Sequence, residues 1–102
     1  MKPVLWRASE MVLAGQRARS YARSCGLSLE VITWVRTGQT VATVERKRPE
    51  DGGWETVVRN VWDNQRDATV AEARTWCEAA ARQHKATMGV LERRRDKSGV
   101  RA

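Results

Sequence analysis

The stretch from Leu27 to Trp62 constrains the fold more than any other. It holds three runs rich in β-branched residues and tryptophan: "LSLEVITWVR", "TVATVERKR" and "WETVVRNVW". Such side chains suit a pleated, half-buried surface. The first two runs are joined by "TGQ", where Gly38 supplies a tight turn. The second link, "PEDGG", places Pro49 early and Gly52 or Gly53 where φ turns positive. Links this short join antiparallel neighbours. The reading is a three-stranded β-meander.

The register follows from the side-chain pattern. With a one-residue bulge in the first turn, Arg36 opposes Thr40. Trp34 then faces Ala42, Ile32 faces Val44 and Glu30 faces Arg46, and on the next pair Arg48 opposes Trp54 and Val44 meets Val58. The expected core face is Ile32, Trp34, Ala42, Val44, Trp54, Val58 and Trp62. The other face carries Val31, Val35, Val41, Val57 and Val61 among Thr43, Glu45, Lys47, Glu55 and Arg59. A two-residue turn would change the facing of the first strand.

Helices are expected on both flanks. From about Val4 to Ser24 an apolar stripe of Val4, Ala8, Met11, Gly15, Ala18, Ala22 and Cys25 has helical spacing, with Pro3 at its start. Gly26 follows where a left-handed cap is needed. The last helix lies in "DATVAEARTWCEAAARQHK", with Thr69 and Glu72 as a capping box and Val70, Ala73, Cys77, Ala80, Ala81 and His84 as the inner stripe. Gly89 is expected to end or kink it. The fold class is therefore α+β: one small domain over residues 1–90, ordered α-β-β-β-α, with a three-stranded antiparallel meander packed by helices. Residues 91–102 read as a basic, flexible C-terminal tail.

Catalytic and metal chemistry find little support. Cys77 and His84 stand seven residues apart on one helix face. That is about 10.5 Å along the axis, too far to share an ion at about 2 Å from each ligand. No second histidine exists to complete a set. No G-x-S-x-G, P-loop or G-x-G-x-x-G pattern is present. We expect no catalytic residues, no metal and no cofactor. Arg7 and Glu10 interrupt any apolar leader, and no apolar run of membrane-spanning length occurs. With two cysteines and no disulfide spacing, the default is a cytoplasmic protein with no membrane partner.

The charge points elsewhere. The net charge of +7 sits at the two ends: residues 1–27 and 70–102 each carry +4, while residues 28–69 carry −1. A basic surface first suggests an anionic partner, most often nucleic acid, DNA or RNA. The expected contacts are Arg7, Arg17, Arg19 and Arg23 on the first helix and Arg93, Arg94, Arg95 and Lys97 in the tail. Trp34, Trp54 and Trp62 are candidates for stacking on bases or touching a partner, against the ordinary reading of core tryptophans. The valine-rich sheet face, if exposed, would suit a homodimer or a host protein.

The element order, over about residues 4–88, resembles the double-stranded RNA-binding domain. In the stretch matching that family's basic helix start, "TVAEARTW", this chain has Glu72 and Arg74. The segment "GGWETVVRNVWDNQRDATVAEARTWCEAAAR" is also similar to the strand-then-helix end of AP2-type and phage-integrase arm-type DNA-binding domains. The pattern carrying that resemblance is T-x-x-E-A, here Thr69 to Ala73. That family reads DNA with a basic sheet. Short basic proteins of this look are common in phages and prophages. Two expectations follow: a small non-enzymatic nucleic-acid-binding protein, or a phage-type accessory protein that binds and inhibits a host defence or transcription complex.

Overall fold

The three β-rich runs do form strands, and they have company. The structure, a computed structural model, describes residues 3–99, with side chains described for residues 3–88. In chain order the elements are β1 (Arg7–Ala8), β2 (Gln16–Ser24), β3 (Leu27–Trp34), β4 (Thr40–Lys47), β5 (Trp54–Trp62) and α1 (Asp67–Gly99). The strands form one antiparallel five-stranded sheet in the order β1-β2-β3-β4-β5, with α1 across one face. The fold is α+β, as expected, but its order is β-β-β-β-β-α.

The helix expected over Val4–Ser24 is absent; β1 and β2 occupy that stretch. The segment "RARSYAR" alternates small Ala18, Ser20 and Ala22 with Arg17, Arg19, Tyr21 and Arg23, a period of two that places the small residues on one face. Ser20 and Ala22 are buried under α1, whereas Tyr21 and Arg23 are exposed. The link from β2 to β3 is a two-residue hairpin loop, Cys25-Gly26, between the partners Ser24 and Leu27. Both residues have positive φ, 56° and 74°. That is the mirror-image turn whose twist matches a β-hairpin. Gly26 is left-handed as half of this turn, not as a helix cap.

The β3–β4 register differs from expectation. The connecting loop is Val35–Gly38, closed by Gly38 N–H to Trp34 O at 3.0 Å and Trp34 N–H to Gln39 O at 2.9 Å. Ile32 therefore faces Val41 and Val31 faces Ala42. An odd shift exchanges the two faces of a strand. The buried face is Leu27, Leu29 and Val31 with Ala42 and Val44; Trp34 and Ile32 point away from α1. Between β4 and β5, Val44 does meet Val58, but a bulge after Val44 pairs Lys47, not Arg48, with Trp54. Trp54 thereby leaves the expected core face. Glu30 pairs with Arg19 rather than Arg46, and Arg46 pairs with Glu55.

The core lies between α1 and the sheet. Leu29, Ala42, Val44, Ala73, Cys77 and Ala81 are fully buried there, with Leu27, Val31 and Ala22 around them. Alanines on α1 let the helix axis come close to the sheet. Each fully buried Leu or Val contributes about 1.5–3 kcal/mol of burial. Trp62 and Trp76 close one end edge to face at 5.9 Å. Trp6 closes the other, donating its indole N–H to Glu78 at 3.1 Å. The helix starts two residues before Thr69, so the expected capping box is not formed. Instead Asn64 Oδ1 accepts from the Arg66 amide at 3.2 Å and from the Thr69 hydroxyl. Helix α1 continues through Gly89 to Gly99. Among the described residues no helix is long and apolar enough to cross a membrane.

Candidate nucleic-acid interface

One face of the sheet is covered by α1; the other is open, and strand alternation decides what it shows. Across β2, β3, β4 and β5 the open face reads as rows of register partners. One row is Arg19, Ile32, Val41 and Val61; the next is Tyr21, Glu30, Thr43 and Arg59; the third is Arg23, Ser28, Glu45 and Thr56. Arg7 of β1 extends the middle row beside Tyr21, and Lys47 faces Trp54 beyond the third. Trp34 lies on this face at the other end, where it lines a shallow hollow with Ile32, Gln39, Val41 and Arg59.

Five cations therefore share the open face: Arg7, Arg19, Arg23, Lys47 and Arg59. Two carboxylates, Glu30 and Glu45, oppose them. Glu30 accepts from Arg19 Nε at 2.6 Å, so that pair is locally neutral. The aromatics are interleaved with the arginines. Arg23 lies over the Trp54 ring at 5.6 Å and Arg19 over Tyr21 at 5.9 Å. Tyr21 is 40% exposed and Trp54 42%. These stacks spread the guanidinium planes along the surface and hold them there.

The expected contact residues are thus sorted by the fold. Arg7, Arg19 and Arg23 come together on the open face. Arg17 does not; it sits at the bulge between Gln16 and Ala18 and lines a cleft on the helix side. The side chains of Arg93, Arg94, Arg95 and Lys97 lie outside the described residues, although their backbone continues α1. Among the tryptophans, Trp34 and Trp54 face the open side, whereas Trp62 packs against Trp76. Sequence reasoning missed Arg59 and Lys47, which alternation on β4 and β5 had already placed opposite the expected core.

The five valines do not make one apolar face. Val31 and Val41 are buried, Val57 packs half-buried against the core, and only Val35 and Val61 are exposed. Cys77 points into the sheet, with its Sγ 3.9 Å from Glu30 O and 4.0 Å from Thr43 O. Burial pushes its thiol from 9.0 up to about 12, against the small downward pull of those two contacts. His84 lies half-buried in a groove between β5 and α1 with Val57, Trp76 and Gln83. Among the described residues no three His, Cys, Asp or Glu side chains converge as metal ligands.

The class this geometry defines is a helix-backed antiparallel sheet with a basic, aromatic open face. Comparison with known proteins finds no matching family model, no matching curated protein and no matching solved structure.

Proposed function

We propose that this is a small nucleic-acid-binding protein that uses the open face of its sheet. The observation that carries the reading is the convergence of Arg7, Arg23, Lys47 and Arg59 with exposed Tyr21 and Trp54 on the one sheet face that no element among the described residues covers. Cations attract the phosphate backbone and release its counterions. Aromatic rings beside them offer π-faces to bases. Replacing the expected first helix by β2 moves the arginines onto the sheet, so the sheet itself is basic.

The cations lie in two groups, on β1–β2 and on β4–β5. From β2 to β5 is three strand spacings, about 14 Å. Duplex DNA, single-stranded DNA and duplex RNA are the three probes.

The test is a fluorescence-anisotropy series over salt. Wild-type affinity falls steeply as salt rises. In Arg23→Gln/Arg59→Gln the slope of log K against log salt is shallower by about 1.8 on duplex DNA, from two lost phosphate contacts. Arg82→Gln, on the exposed side of α1, removes a charge away from the open face and leaves the slope nearly unchanged. Absence of binding to all three probes at low salt, or an equal loss in Arg82→Gln, overturns the proposal.

A further inference from the structure

A second polar site lies on the helix side of the sheet, where α1 begins. Arg17, Thr33, Gln65, Asp67 and Arg74 line a cleft of about 440 Å³ there, with Val70 and Ala71 of the first helical turns. Two buried side-chain oxygens among the described residues have no hydrogen-bond partner, Thr33 Oγ1 and Gln65 Oε1. Both belong to residues lining this cleft. Thr33 is only 5% exposed. A buried polar atom left unpaired is costly, so two in one cleft point to an absent partner.

The chemistry of that partner can be read from the donors and acceptors. Arg17 and Arg74 only donate, and both are cationic. Arg74 is fixed in place by its Nε donating to Ser20 Oγ at 3.3 Å and by its stack on Trp6. The start of a helix adds partial positive charge. These features call for an anion. Yet the Asp67 carboxylate only accepts, and it calls for a donor, while the Gln65 amide can turn to present either its oxygen or its NH2. The Thr33 hydroxyl serves either way. A fully ionised oxyanion satisfies the arginines and repels Asp67. An oxyanion that keeps a proton satisfies both sets.

We propose that this cleft binds inorganic phosphate, which keeps at least one P–OH at neutral pH. Its ionised oxygens accept from Arg17, Arg74 and Thr33, and its P–OH donates to Asp67 or Gln65. Sulfate is the same size and fully ionised at neutral pH, so it binds poorly. The site is separate from the open face and does not depend on the function proposed for that face.

The test is titration of the full chain with sodium phosphate or sodium sulfate at matched ionic strength, followed by amide NMR shifts of Thr33, Gln65 and Val70. Phosphate binds, and sulfate binds at least about tenfold more weakly, as loss of a charge-assisted hydrogen bond implies. Asp67→Asn narrows that gap. Thr33→Val weakens phosphate about tenfold but keeps its melting temperature in phosphate-free buffer, because it removes a hydroxyl that has no protein partner. Arg23→Gln/Arg59→Gln leaves phosphate binding intact, so failure of the open-face reading is separable. The proposal is overturned if phosphate does no more than matched chloride or if sulfate binds equally. It also fails if Thr33→Val lowers stability while binding is unchanged, which indicates a structural water in the cleft.

Discussion

Cys77 gives the sharpest test of how α1 sits on the sheet. Its side chain is fully buried, and its thiol is pushed from 9.0 to about 12 by that burial. Only the thiolate is an effective nucleophile. A three-unit rise lowers the thiolate fraction at pH 8 by roughly a thousandfold, before restricted access slows the reaction further. Cys25, half-buried in the β2–β3 turn, is the contrast within the same chain. Alkylation with iodoacetamide at pH 8, read by mass spectrometry, should label Cys25 quickly and Cys77 only as fast as the protein opens. Cys25→Ser should leave no fast thiol. The same shift predicts a pH dependence. Between pH 9 and 12 the unfolded chain loses the Cys77 proton and the folded chain keeps it. Its contribution to stability is therefore full below pH 9 and is lost as pH rises toward 12, by about 1.4 kcal/mol per unit at most. Wild type should lose stability over that window more steeply than Cys77→Ala. Labelling of both thiols at similar rates in the native protein would refute the placement of Cys77 between helix and sheet.

Two further perturbations probe the fold. Leu29→Ala, at the centre of the core, should cost about 3–5 kcal/mol in urea denaturation, and a cost under about 1 kcal/mol would mean that the buried face is misassigned. Cys25→Asn should raise stability by about 0.5–1 kcal/mol, because asparagine accepts the left-handed conformation that Cys25 holds at φ 56°. A loss of stability there would argue against the mirror-image turn.

Particular residues show what was legible in the chain and what was not. The three β-rich runs and the helix after Asn64 were legible because branched residues, turn glycines and an alanine-rich stripe agree with one another. β2 was not. "RARSYAR" fits a period of two, but its alanines and arginines are also good helix formers, and Val4, Ala8, Met11 and Ala22 fall at helical spacing. What settles the matter is tertiary: Ala22 pairs with Leu29 and is buried under α1. The face of β3 was illegible for a related reason. Leu27, Leu29 and Val31 alternate with Ser28, Glu30, Ile32 and Trp34, so both faces carry apolar residues and the pattern does not choose between them. The four-residue loop Val35–Gly38 chooses. The candidate site inherited both errors. Reading Arg7, Arg19 and Arg23 as helical keeps them apart from Lys47 and Arg59, which share the sheet face opposite the expected core, and only strand β2 joins the two groups.

The five tryptophans offer the most direct test of the open-face interface, since the sheet divides them. Trp34 and Trp54 lie on the open face; Trp6, Trp62 and Trp76 lie on the helix side. Their indole N–H signals can be followed by NMR as duplex DNA is added at low salt. The Trp54 and Trp34 signals should move while those of Trp6, Trp62 and Trp76 stay. Movement of the helix-side signals with Trp54 unmoved, or no movement at all, contradicts the open-face interface.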